Sequence, residues 1–85
     1  MKHARQDYDR IQDPAGLIPE NEPVLILRGK DVCAPATVDA WCKEAKRYGV
    51  DERMIAIVQA HGDYMRVWQI EHESKIPDMP EELFP

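Results

Sequence analysis

Asp51-Glu52-Arg53-Met54-Ile55-Ala56-Ile57-Val58-Gln59-Ala60-His61-Gly62-Asp63-Tyr64-Met65-Arg66-Val67-Trp68-Gln69-Ile70-Glu71-His72 is the stretch that decides the fold. Within it Met54, Val58, His61, Met65, Trp68 and His72 recur at 4-3-4-3-4 spacing, which places them on one face of a helix. Asp51 stands where an N-cap belongs, and Glu52 sits beside the positive end of the helix dipole. The spacing predicts a long helix over residues 51–74. Gly62 falls in its middle, where glycine costs roughly 1 kcal/mol relative to alanine. Two readings of Gly62 stay open: a mild imperfection on a solvated face, or a place where another backbone comes close.

Upstream, Val38, Trp41, Ala45 and Tyr48 follow 3-4-3 spacing and predict a shorter helix over residues 35–48. Pro35 suits its first turn and Gly49 its left-handed end. A turn at Gly49 and Val50 makes the two an antiparallel hairpin, and the fold class is mainly α. At 1.5 Å per residue the first helix is about 20 Å long and the second about 35 Å. The shorter therefore leaves the far part of the longer, with Met65, Trp68 and His72, for the N-terminal segment or another subunit to cover. A second subunit is the preferred candidate, so the expectation is a homo-oligomer with Met65, Trp68 and His72 at its interface.

Before the hairpin the character changes. Residues 1–31 hold prolines at 14, 19 and 23 and are expected to form an extended arm, since proline withdraws a backbone donor and biases its predecessor away from helix. Val24-Leu25-Ile26-Leu27 is the one strand-like run, closed by Arg28-Gly29-Lys30-Asp31 as a turn. A lone strand must pair with its copy in another subunit or lie as an apolar strap across helices. After Lys75 the prolines at 77, 80 and 85 and three acidic residues read as a flexible tail over 76–85. The expected organisation is one small domain over residues 1–75, with the arm at 1–31 and the hairpin at 35–75.

Composition narrows the function classes. Eighty-five residues support one domain with a marginal core. The net charge of −5 argues against a binder of double-stranded nucleic acid, which presents a basic face. Residues 1–31 are nearly balanced, however, with five basic and six acidic groups. No secretory leader and no apolar run of membrane-spanning length are read, so a cytoplasmic location with Cys33 and Cys42 as free thiols is expected. One serine, one threonine and four isolated glycines leave little for nucleophilic or phosphate-cradling chemistry. Cys33, Cys42, His61 and His72 lack the tight pairs of a zinc site. The expectation is a non-enzymatic protein without cofactor or metal.

The best candidate for ligand binding is the arm. Arg5, Tyr8, Arg10, Gln12 and Asp13, with Arg28 and Lys30 after the apolar run, combine guanidinium groups that grip phosphate with an aromatic face and an amide. The alternative is that Asp7, Asp9 and Asp13 pair with these arginines and merely pin the segment.

The string Asp7-Tyr8-Asp9-Arg10-Ile11-Gln12-Asp13-Pro14, then Ile18-Pro19-Glu20-Asn21-Glu22-Pro23-Val24, Leu27-Arg28 and Asp31, resembles a family of small proteins of tailed phages and prophages. Ala34-Pro35, Val38, Trp41, His61, Met65 and Trp68-Gln69 fit the same pattern, so the likeness runs to about residue 75. Asn21 and the two cysteines depart from it. The resemblance implies a phage accessory acting in the host cytoplasm. Two functions follow as expectations: an oligomer that sequesters a small anionic signal such as a cyclic nucleotide, blunting host defence, or a protein-interaction module that inhibits a host protein or assists virion assembly.

Overall fold

The computed structural model describes residues 2–4 and 13–78. It is a mainly α protein built on an antiparallel helical hairpin. β1 (Lys2–His3) and β2 (Pro23–Val24) precede the two helices, α1 (Ala34–Arg47) and α2 (Glu52–Glu71). The chain divides into two compact units, residues 1–27 with 78–85, and residues 28–77.

In the first unit β1 and β2 run parallel, Lys2 opposite Pro23 and His3 opposite Val24. The Ala4 amide adds a bond to the Val24 carbonyl at 3.0 Å. The strand-like run expected at 24–27 is thus shorter and begins one residue earlier. Its partner is the chain's own N-terminal stretch, not a copy in another subunit. Proline at its first position lacks a donor, which an edge strand tolerates.

In the second unit, α1 opens with Pro35 in its first turn. It closes with a glycine-ended cap: the Gly49 amide donates to the Lys46 carbonyl at 3.2 Å and the Val50 amide to the Ala45 carbonyl at 3.0 Å. This Schellman pair needs a left-handed residue, and Gly49 has φ 74°. Asp51 caps α2 as expected, accepting from the Arg53 amide at 2.8 Å. α2 ends at Glu71 instead of residue 74. There the His72 imidazole Nδ1 lies 2.9 Å from the Trp68 carbonyl, and its ring stacks on Trp68 with centroids 4.0 Å apart. The Trp68 carbonyl is thereby engaged and the chain leaves in extended conformation.

The helices pack through seams rotated by about one residue from those the spacing predicts. On α1 the buried residues are Ala34, Pro35, Val38, Cys42 and Ala45; Trp41 is 42% exposed and Tyr48 75%. On α2 they are Ile55, Gly62 and Met65, with Met54 and His61 exposed. Gly62 explains the rotation. A Cβ built on it would lie 2.7 Å from Val38 Cγ1 and 3.2 Å from Val38 Cβ, inside van der Waals contact. The missing side chain is what lets α1 come close, which is the second of the two readings of this glycine.

Candidate binding surface

α2 carries three different edges, and each follows from helical phase. The edge toward Asp39 of α1 is polar. Gln59 donates to the Asp39 carboxylate at 3.1 Å and to Asp63 at 3.4 Å. Arg66 reaches the other Asp39 oxygen and also Asp63, the latter at 3.1 Å. These four side chains clip one helix to the other along a half-exposed border. The Gln59 amide first, and then the Arg66 guanidinium, hold the Asp39 carboxyl below the ordinary carboxylate range. Asp51 is lowered likewise by its bonds from Arg53.

A carboxyl whose pKa is lower folded than unfolded adds stability that is complete above the unfolded value, about 4, and is lost as pH falls through the folded one. Thermal melts should therefore change little on this account above about pH 5 and drop below about pH 4. Asp39→Asn should flatten part of that acid-side drop. An identical acid limb in wild type and Asp39→Asn would show that the clip adds nothing.

The end of α2 holds a loop. Gln69 donates from its amide to the Gly29 carbonyl at 2.8 Å and the Asp31 carbonyl at 2.9 Å. Gly29 lies against Met65 and Trp68. Asp31 and Lys75 form a parallel bridge, with the Lys75 amide bonded to the Lys30 carbonyl at 2.8 Å and the Val32 amide to the Lys75 carbonyl at 3.1 Å. The far part of α2 is thus covered by residues 28–32 of the same chain. Met65 is buried in this packing, Trp68 half-buried and His72 exposed. Of the three residues expected at an oligomer interface, Met65 already belongs to the core of its own chain.

The remaining faces are apolar and open. A groove of about 580 Å³ is lined by Val38, Ile57, Val58, Ala60, His61 and Tyr64, with the His61 and Tyr64 rings stacked 6.2 Å apart. Along the side of α2 opposite α1, Ile57, Tyr64 and Val67 are 67%, 64% and 52% exposed. A helix that is apolar on more than one face is ordinarily covered on more than one face.

The expected ligand residues fare differently. Arg5, Tyr8, Arg10 and Gln12 lie outside the described residues. Asp13 accepts from the Leu17 and Ile18 amides at 3.3 and 2.9 Å, so its carboxylate shapes the loop it begins. Arg28 and Lys30 share the loop fastened by Gln69. Cys33 and Cys42 are free thiols, the first exposed and the second buried. Among the described residues no three histidine, cysteine, aspartate or glutamate side chains converge as metal ligands. No helix among them is long and apolar enough to cross a membrane.

Sequence reasoning left both readings of Gly62 open and missed Gln69, whose amide fixes the loop that packs on the end of α2. The available signal was the seven-residue spacing of Ile55, Gly62 and Gln69. No family model matches the chain, and no curated protein or solved structure is significantly similar to it.

Proposed function

We propose that this chain is a non-enzymatic, phage-type protein-interaction module whose partner is a polypeptide meeting the apolar outer face of α2. The observation that carries this is the exposed row Ile57, Tyr64 and Val67 beside an apolar groove. Exposed aromatic and aliphatic side chains gathered on one rigid helix mark interaction surfaces, and tyrosine is among the residues that anchor them. The sequestration of a small anion rests on the arm, and the one carboxylate among its expected ligand residues, Asp13, is occupied by backbone amides. The polypeptide that meets this face is a second copy of this chain or, in a host-cell setting, a host, defence or virion protein.

The test is a photo-crosslinking amino acid at position 64, introduced into the full chain and irradiated in living bacteria. Adducts with one or a few defined polypeptides are expected. Their absence, together with heat of binding when the purified protein is titrated with cyclic di- or trinucleotides, would replace this reading with sequestration.

A further inference from the structure

We infer that the outer face of α2 is a self-complementary dimer surface, on which a second copy of this chain lies antiparallel. The inference rests on the reading just given and names its partner. The face is formed by Arg53, Ile57, Ala60, Tyr64, Val67 and Glu71, at 4-3-4-3-4 spacing. At 100° per residue this row points almost directly away from the Ile55, Gly62 and Met65 stripe that packs on α1. The hairpin can therefore accept a partner here without disturbing its own core.

The order of residue types along this row reads as its own complement. About a two-fold axis at the level of Gly62, an antiparallel copy sets Arg53 opposite Glu71, Ile57 opposite Val67 and Ala60 opposite Tyr64, and each pairing occurs twice. An isologous interface demands this kind of self-complementarity. The small alanine makes room for the tyrosine ring, and the charges close both ends of the apolar stretch. The Arg53 side chain is 90% exposed even while bonded to Asp51, and Glu71 is exposed.

Charge also selects the direction. A parallel copy would set Arg53 against Arg53 and Glu71 against Glu71, and would stack the two tyrosines in one layer. Like charges in register disfavour that arrangement. On one flank of the antiparallel pair Met54 comes opposite Trp68, covering the part of that ring its own chain leaves open. On the other flank Ala56 comes opposite Ile70, which is 85% exposed in the single chain. Asp63 meets its own copy near the axis, and Arg66 at 3.1 Å offsets that charge within each chain.

Sedimentation of the purified full chain at micromolar concentration should give twice the 9.8 kDa chain mass. Tyr64→Lys should return it to the single-chain mass with unchanged helical circular dichroism, since the ring lies outside the hairpin core. Glu71→Arg, which leaves the apolar row intact, should weaken association at least several-fold. Direction is read by mixing Ile57→Cys and Val67→Cys chains, both in a Cys33→Ser, Cys42→Ala background, and oxidising them. The mixed 57–67 disulfide is expected. A wild-type monomer at 100 micromolar, a predominant 57–57 disulfide, or a dimer indifferent to Tyr64→Lys would each overturn the inference. A monomer that still crosslinks to a different polypeptide in cells would overturn the dimer and leave the interaction module standing. A monomer with no adduct in cells would remove both.

Discussion

Replacing Gly62 with leucine should unfold the hairpin, and even alanine there should lower its stability. In an isolated helix alanine is better than glycine by about 1 kcal/mol, so propensity alone gives the opposite sign. Geometry reverses it, because the new Cβ would sit 2.7 Å from Val38 Cγ1. Val38 is β-branched, its χ1 is nearly fixed in a helix, and its Cβ is itself only 3.2 Å away. The helices must separate, and overpacking of this kind costs about 1–3 kcal/mol. That leaves a net loss on the order of 1 kcal/mol for alanine, and several for leucine, against the small total stability of an 85-residue chain. Val38→Ala combined with Gly62→Ala should recover more than the two single losses predict, because one vacated volume receives the other's methyl. Denaturant titration of the four proteins measures this. A Gly62→Ala protein more stable than wild type would place Gly62 on a solvated face.

Ile55→Ala should cost about 2–5 kcal/mol, the usual loss for a buried aliphatic side chain, whereas Met54→Ala beside it should cost less than about 1 kcal/mol. Ile55 is 6% exposed and Met54 47%. The two residues are neighbours with similar volume and hydrophobicity, so the comparison isolates helix phase. A reversed order, with Met54 the costly one, would restore the seam that apolar spacing alone selects. The loss at Ile55 falls on a core whose buried apolar residues, among those described, are Ala34, Val38, Cys42, Ala45, Ile55 and Met65. So few large side chains leave little reserve, and Ile55→Ala should show as a fall in melting temperature of many degrees.

The hairpin was legible because its punctuation is strong: Pro35 at the start of α1, Gly49 at its end and Asp51 at the cap of α2 all act through local backbone chemistry. The phase was not legible. Apolar spacing picks out Met54, His61 and Trp68, while the packed stripe runs through Gly62, with Gln59, Arg66 and Gln69 beside it. Those residues fill helix–helix and helix–loop positions by having no side chain or by bonding across, and a pattern that scores hydrophobicity cannot see them. α2 also carries apolar residues on its outer side, so two stripes compete and the larger side chains win the count. The arm's strand was misjudged for a different reason. Its partner, Lys2–His3, is polar and far away in sequence, and a parallel pair that short leaves no local trace.

Asp31 and Lys75 stand side by side in a bridge, so the hairpin starts and finishes at one spot. Segments whose ends meet can be spliced into a surface turn of another protein with little distortion, as domain insertions usually are. In engineering terms residues 29–75 form a portable cassette. Its two helices and the Gln69 clip would travel together, and a host turn a few ångströms wide would suffice to carry it.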